Sequence, residues 1–79
     1  MNSEKTVKIA KNIIDKCNGD IRLIASWAKL APKSVYAWQY PKAKGGTGGY
    51  IPYRHHDAIL AGARKHGYAV TEEDFFKPK

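Results

Sequence analysis

Pro32 is the residue that most constrains the fold of this chain. A proline ring pushes the preceding residue, here Ala31, out of the helical conformation. Proline is nevertheless well tolerated at the first position of a new helix, because the N–H that it lacks would have no partner there. The sequence therefore predicts a second helix at residues 21 to 28, a tight turn at 29 to 31 and a third helix at 32 to 40.

Apolar spacing predicts a first helix at residues 4 to 17. Its apolar residues recur every three or four positions and form one stripe, which most of the lysines avoid; they are Val7, Ile9, Ala10, Ile13, Ile14 and Cys17. We expect Asn18 and Gly19 to end this helix, with the glycine in the left-handed conformation. Asp20 is then a natural N-cap for the second helix.

The C-terminal part is predicted to contain a fourth helix and a short capped turn. Pro52 opens the helix, which runs to about Lys65. In the stretch VTEEDFF, residues 70 to 76, Thr71 and Asp74 have the spacing of a capping box. No stretch indicates a strand of convincing length, so the chain is predicted to form a single all-α domain of four to five helices. The residues of the fourth helix expected to face inward are Ala58, Ile59, Ala63 and either Tyr53 or His56.

The charge balance favours a polyanionic partner. Fourteen Lys and Arg residues stand against seven Asp and Glu, which gives a formal net charge of +7. Such a chain most often binds nucleic acid and sometimes an anionic membrane. No apolar run approaches the roughly 20 residues that a membrane span needs, and the N-terminus has no signal-peptide hydrophobic region, so we expect no membrane partner. The single Cys17 forms no intrachain disulfide, which favours the cytoplasm.

The predicted second helix, turn and third helix have the arrangement of a helix-turn-helix motif. Ala25 is the small residue that lets the third helix cross close by, and Val35 and Trp38 are the apolar residues that hold that helix to the body. With those two side chains inward, a set of mostly polar residues faces outward, as in a recognition helix that meets base edges in the major groove. This set is Lys33, Ser34, Tyr36, Ala37 and Tyr40.

The stretch IRLIASWAKLAPKSVYAW resembles the helix-turn-helix of Cro/CI-type, lambda-repressor-like phage regulators. The order W-x-x-P, G-G-Y-I-P-x-R-H, an apolar helix and V-T-x-E-D-F is similar to small Cro-like regulators that include the YdaS group, over roughly residues 7 to 76. The resemblance implies a phage or prophage transcriptional repressor that binds double-stranded DNA as a homodimer in a bacterial cytoplasm. Two features depart from it: the loop KAKGGTGG is longer and more basic, and Lys29 stands where the family usually has Gly. A left-handed lysine there would cost about 1 kcal/mol.

The predicted DNA contacts come from the second helix, the third helix and the segments that follow it. Lys33 is expected to bind guanine O6 and N7 or a phosphate, and Ala37 to touch a thymine methyl group. The glycines of the basic loop at residues 41 to 50 would let backbone N–H groups approach phosphates. The alternative for Lys33 and Ser34 is a solvated helix surface, and for Lys42 and Lys44 a mobile solvated loop. Tyr36 could instead pack against the first helix, and Arg22 could pair with Asp20 or remain a free surface charge. The full set is Arg22, Lys33, Ser34, Tyr36, Ala37, Gln39, Tyr40, Lys42, Lys44, Thr47 and Arg54.

Two other functions stay open from the sequence. One is a protein-interaction module, such as an antitoxin or antirepressor, acting through a surface of Leu23, Trp27 and Phe76. The other is binding of RNA or single strands, which exposed aromatic residues would favour.

Catalysis and metal binding have little support in the sequence. No plausible nucleophile–base pair is present, so we expect no enzymatic activity. The adjacent His55 and His56 diverge by about 100° on a helix and no second cysteine supports them, so we expect no metal. No cofactor or small-molecule ligand is expected either.

Overall fold

Four α-helices form the described part of the chain; short turns join the first three, and a longer segment that contains the glycine-rich loop joins the third to the fourth. The structure, a computed structural model, describes residues 6–77. Its α-helices are α1 at Ile9–Lys16, α2 at Ile21–Ala28, α3 at Pro32–Ala37 and α4 at His56–Lys65, and 3₁₀ turns occupy Lys42–Lys44, Tyr53–His55 and Glu72–Phe75. Over residues 6–77 there is no strand, which confirms the predicted all-α class. None of these helices is both long and apolar enough to cross a membrane.

One continuous apolar core holds the helices together. α2 packs against α3 and α4, whereas α1 packs against the C-terminal turn at Glu72–Phe75. Every α-helix contributes at least one side chain that is fully shielded from solvent, because each has its apolar residues on a single face. The largest of these side chains are Ile9, Ile13, Ile24, Val35 and Ile59.

The turn between α2 and α3 has the predicted geometry. Lys29 is left-handed, with φ 59° and ψ 46°, and the Leu30 N–H donates to the Ala25 carbonyl at 3.0 Å, the six-to-one bond of a Schellman motif. Ala31 is extended, with ψ 146°, and Pro32 begins α3. Since lysine gains nothing from a positive φ, this turn holds about 1 kcal/mol of backbone strain.

The end of α1 and the start of α2 also have the predicted geometry. Asn18 and Gly19 are both left-handed, with φ 60° and 71°, and the Gly19 N–H donates to the Ile14 carbonyl at 2.8 Å. The Asp20 carboxylate accepts the Leu23 N–H at 3.1 Å and so caps α2.

α1 and α3 are shorter than predicted. α1 begins at Ile9 because backbone amides before and at its start bond to the glycine-rich loop: Val7 N–H donates to the Gly48 carbonyl and Ala10 N–H to the Gly49 carbonyl, both at 2.8 Å. The part of the prediction at residues 4 and 5 lies outside the described residues. α3 ends at Ala37, and a tighter turn follows it through residue 40.

One inward position predicted for α4 is wrong, because Ala58 is exposed. Of the two alternatives Tyr53 and His56, it is His56 that faces inward: His56 is partly buried, whereas Tyr53 is 80% exposed. The His56 ring stacks on Phe75 with centroids 4.4 Å apart, and its Nε2 lies 2.8 Å from the Ile51 carbonyl oxygen. The segment begins as a 3₁₀ turn, which has three residues per turn instead of 3.6, so the inward face is shifted relative to a continuous α-helix.

The contact between α2 and α4 depends on a glycine. The Trp27 indole lies against Gly62 so closely that a Cβ at residue 62 would overlap the ring. The same indole packs against His66 and Tyr68, with ring centroids 5.4 and 6.4 Å away. Trp27 is therefore an intrachain packing residue that joins α2 to the end of α4.

An ion pair joins α1 to the C-terminal turn. Lys16 Nζ lies 2.7 Å from the carboxylate of the buried Asp74 and also donates to the Ala69 carbonyl at 3.1 Å. The Thr71 backbone N–H donates to the same carboxylate at 2.9 Å, as part of the predicted capping box. Burial raises the pKa of Asp74, but the hydrogen bonds from Lys16 and Thr71 outweigh it and hold the pKa below its usual value.

Gly62→Ala should lower the free energy of unfolding by about 1–3 kcal/mol, because overpacking forces the Trp27 ring to move. Helix propensity alone predicts the opposite sign, since alanine is favoured by roughly 1 kcal/mol. Urea denaturation measures the difference. Repeating the substitution in a Trp27→Leu background should remove most of the cost; an unchanged cost there would contradict the packing.

Asp74→Asn should cost about 1–3 kcal/mol at pH 7, the usual range for losing a hydrogen bond to a charged group. The pKa of Asp74 is lower in the folded protein than its unfolded value of about 4. The carboxylate therefore contributes its full stabilisation of the fold at any pH above about 4, and this contribution is lost as the pH falls through the folded pKa. Denaturation at pH 7 and at progressively lower pH tests this.

The matched control is Asp15→Asn, which breaks the exposed pair with Lys11 at 3.0 Å. An exposed pair of this kind contributes only about 0.3–0.5 kcal/mol. Equal costs for the two substitutions, or a cost for Asp74→Asn that does not shrink in acid, would contradict the account.

Candidate nucleic-acid interface

The orientation of α3 agrees with the prediction. Val35 is completely buried and Trp38, in the turn that follows, is 5% exposed. Lys33 and Tyr36 are exposed, and Ala37 is partly buried on the flank. α3 is thus held to the core on one side and presents its first turn to solvent on the other.

A shallow groove of about 400 Å³ runs along the outer side of α3. Three parts of the chain form it: the exposed side of α3, the glycine-rich loop and the start of the Tyr53–His55 turn. It therefore brings together side chains that are up to 21 positions apart in the sequence, between residues 33 and 54. Its lining residues are Lys33, Ser34, Ala37, Trp38, Gly45, Thr47, Pro52 and Arg54.

The groove is cationic. Lys33 and Arg54 are exposed along its wall, and among the described residues that line it none is acidic. His55 lies next to the groove, with its ring stacked on Trp38 at a centroid distance of 5.7 Å. Burial, and then the charges of Arg54 and His56, lower the pKa of His55. This shift favours the neutral imidazole, and Lys33 and Arg54 supply the positive charge of the groove.

The loop wall of the groove is fixed to the turn that follows α3. The Gly48 N–H donates to the Tyr40 carbonyl and the Gly49 N–H to the Trp38 carbonyl, both at 2.8 Å. The Thr47 hydroxyl lies between two carbonyl oxygens, 3.0 Å from that of Trp38 and in contact with that of Tyr50. Since this hydroxyl has one proton and uses it within the loop, Thr47 has none to donate to a phosphate.

Other predicted contact residues lie outside the groove. Lys42 and Lys44 are exposed on the 3₁₀ turn at Lys42–Lys44. Lys42 also lines a second groove, of about 450 Å³, between the loop and the segment that precedes α1. Arg22 is exposed in the first turn of α2 and does not line the groove of α3.

The end of α3 carries an exposed tyrosine pair. The rings of Tyr36 and Tyr40 meet edge to face with centroids 5.4 Å apart. Their side chains are hydrogen-bonded, which raises the pKa of Tyr40. The side chain of Gln39 donates to the Tyr36 carbonyl at 3.3 Å, so its amide is already engaged with the local backbone.

Four residues of this region were not among the predicted contacts. Trp38, Gly45 and Pro52 line the groove, and the His55 ring supports it by stacking on Trp38. The glycine-rich composition marked the loop as special, but only the long-range hydrogen bonds to Trp38 and Tyr40 bring it beside α3. No local pattern identifies those bonds.

Comparison of the chain with protein-family models, with curated proteins and with solved structures gives no match. Within residues 6–77 no three His, Cys, Asp or Glu side chains are grouped so that they could hold a metal ion.

Gly49→Ala should detach the loop from the segment before α1. Gly49 has φ 93°, and a Cβ there would overlap the Val7 carbonyl. We expect amide hydrogen exchange at Val7 and Ala10 to accelerate by at least tenfold, because their bonds to the loop would break. Gly48→Ala is the matched control: it has φ 78° but no atom within 4 Å of the added Cβ. If amide exchange accelerated equally in both variants, backbone strain alone would explain the effect. That result would contradict a specific overlap between the Cβ at residue 49 and the Val7 carbonyl.

Proposed function

We propose that this protein is a sequence-specific double-stranded-DNA-binding transcriptional regulator. In this proposal α2, the turn at residues 29 to 31 and α3 form a helix-turn-helix, and α3 enters the major groove. The cationic groove carries the proposal: Lys33 and Arg54 line it without any acidic neighbour among the described lining residues, on the side of α3 that faces away from the core.

The residues of α3 suit direct readout of bases. Lys33, in the first turn of the helix, has the length and charge to bind guanine O6 and N7 or a phosphate. Ala37 lies one turn further and presents a methyl group that can contact a thymine methyl. Ser34 lies between them and can donate to a base or a phosphate.

The parts around α3 suit binding to the sugar-phosphate backbone. Arg54 lines the groove from the Tyr53–His55 turn and can hold a phosphate while α3 reads bases. Lys42 and Lys44 extend the positive charge along the loop. Because the hydrogen bonds to Trp38 and Tyr40 already order this loop, it loses less conformational entropy on binding than a mobile loop would.

Regulation follows from occupancy of a promoter. We propose that two copies bind half-sites about one helical turn apart, as dimeric helix-turn-helix proteins do. A small core of this kind supplies only about 3–5 kcal/mol, so association would also stabilise the fold. The resemblance to Cro-like regulators favours repression, in the cytoplasm of a bacterium that carries the phage or prophage.

A protein-interaction module that acts through one surface of Leu23, Trp27 and Phe76 has less support. Its proposed surface combined Leu23, Trp27 and Phe76, but Trp27 packs on Gly62 and His66 near the end of α4. Phe76 instead meets the ring of His56 at the start of α4, at 5.4 Å. Ten residues of helix separate these two histidines, which is about 15 Å.

Binding of RNA or single-stranded DNA is the second candidate, and the exposed tyrosines favour it. Tyr36, Tyr40 and Tyr50 are all exposed and lie among lysines in the sequence, and single strands stack their bases on such rings. Tyr36 and Tyr40, however, already contact each other edge to face, which occupies part of their ring surfaces.

The first experiment is a selection of genome fragments by the full chain at near-physiological salt, with random DNA as competitor. The proposal expects enrichment of fragments that share one motif, and competition by the duplex form of that motif rather than by either single strand. Absence of enrichment would reject specific recognition. Competition by the single strand or by the corresponding RNA would favour the second candidate.

Lys33→Met should flatten the salt dependence of binding to the selected duplex if Lys33 contacts a phosphate. Each phosphate contact contributes about −0.9 to the slope of log affinity against log salt concentration, so the slope should become less negative by roughly that amount. If Lys33 reads guanine instead, specificity at one position should relax by about 1–3 kcal/mol.

Lys65→Met is the control, because Lys65 is exposed in the last turn of α4 and does not line the groove. Fluorescence anisotropy at several salt concentrations measures both variants. Equal behaviour of the two variants would contradict the role of the α3 groove.

A further inference from the structure

A third groove, of about 220 Å³, lies between the start of α4 and the C-terminal turn. Its lining is mostly aromatic and apolar, with His56 stacked on the buried Phe75 as part of it. Tyr53, 80% exposed, and Phe76, 62% exposed, are the two most exposed large apolar side chains in the described part of the chain. We call this feature the aromatic groove; its lining residues are Tyr53, His56, Asp57, Leu60, Glu72, Phe75 and Phe76.

The charge at the aromatic groove is opposite to that of the molecule. Asp57 and Glu72 line it, and both side chains are exposed without an ion-pair or hydrogen-bond partner among residues 6–77. The neighbouring acidic residues differ, because Glu73 pairs with Lys77 at 2.8 Å and Asp74 with Lys16. Two carboxylates without a partner in the described part of the chain, beside exposed aromatic rings, are therefore a local exception on a chain of net charge +7.

We infer that the aromatic groove docks a peptide segment of a partner protein, one that presents a large apolar side chain flanked by lysine or arginine. The apolar side chain would fill the space between Tyr53 and Phe76, because aromatic side chains in concave sites are typical anchors of protein interfaces. The cations would meet Asp57 and Glu72, and could also lie on the aromatic faces.

Two other occupants fit the groove less well. Its volume lies below the roughly 300–1,000 Å³ of typical small-molecule pockets, so it has room for about one side chain and not for a cofactor. A second copy of the chain in a two-fold symmetric contact would bring Asp57 and Glu72 towards their own counterparts, because the same patch is used by both subunits. Such like-charge contacts oppose association. The charge pattern therefore favours a basic partner over self-association.

This inference is independent of DNA binding, because none of the residues that line the aromatic groove lines the cationic groove of α3. Arg54 and Tyr53 are consecutive, yet one lines the cationic groove and the other the aromatic groove. A regulator with this arrangement can hold DNA and a partner protein at the same time.

The test is a selection of random displayed peptides on the full-length protein, followed by affinity measurement of the synthetic consensus peptide by isothermal titration calorimetry. We expect the enriched peptides to share an apolar residue next to lysine or arginine. Phe76→Ser should weaken the consensus peptide at least tenfold, and so should the double substitution Asp57→Asn with Glu72→Gln. Phe76 is exposed, so its replacement leaves the core intact.

Two matched controls accompany these variants. Tyr50→Ser removes an exposed aromatic ring outside the aromatic groove, and Asp15→Asn removes an exposed carboxylate on α1; both should bind the peptide as the unsubstituted protein does. Phe76→Ser should also keep DNA affinity within about twofold, so loss of peptide binding and failure of the DNA proposal give different results.

Several results would overturn the inference. They are the absence of an enriched motif, a motif without cations, or peptide binding that survives Phe76→Ser. Sedimentation velocity tests whether a second copy of the chain occupies the aromatic groove. A homodimer that dissociates in the Phe76→Ser variant would mean that it does, contrary to the inference.

Discussion

Burial of Trp38 is the constraint on which the rest of this structure depends. Its indole closes the core beside Val35 and stacks on His55, in the 3₁₀ turn that precedes α4. Its carbonyl oxygen accepts the Gly49 N–H at 2.8 Å and lies 3.0 Å from the Thr47 hydroxyl. One residue therefore sets which side of α3 faces outward and where the loop lies. The cationic groove exists because these parts meet at Trp38, so its geometry is coupled to the stability of the core.

The short turn at Tyr53–His55 organises two surfaces of opposite charge. Arg54 lines the cationic groove, whereas Tyr53 lines the aromatic groove together with the carboxylates of Asp57 and Glu72. The adjacent histidines diverge as the sequence predicts: His55 stacks on Trp38 and His56 on Phe75. Although the net charge of the chain is +7, its surface charges are segregated. The basic surface is suited to a polyanion and the acidic surface to a basic partner.

Local chemistry explains what could be predicted from the sequence. The extended Ala31 before Pro32 and the Asp20 cap depend on neighbours in the chain, and both match the structure. Helical periodicity was sufficient to place Val35 and Trp38 in the core. The errors lie where distant contacts decide: α1 begins late because the Val7 and Ala10 amides bond to the loop. The contacts of the Thr47 hydroxyl with the carbonyls of Trp38 and Tyr50 could not be predicted from the sequence. The predicted DNA contacts, and DNA binding itself, stay proposals.

The most direct test of the account is an NMR titration of the isotope-labelled full chain with the duplex selected from genome fragments. The amides of Lys33, Gly45 and Arg54, one from each part of the cationic groove, should shift together and saturate at the same DNA concentration. Those near Phe76 should stay unchanged. Shifts concentrated around Phe76, or none at the cationic groove while the duplex is bound, would contradict the central claim that this groove is the surface that recognises DNA.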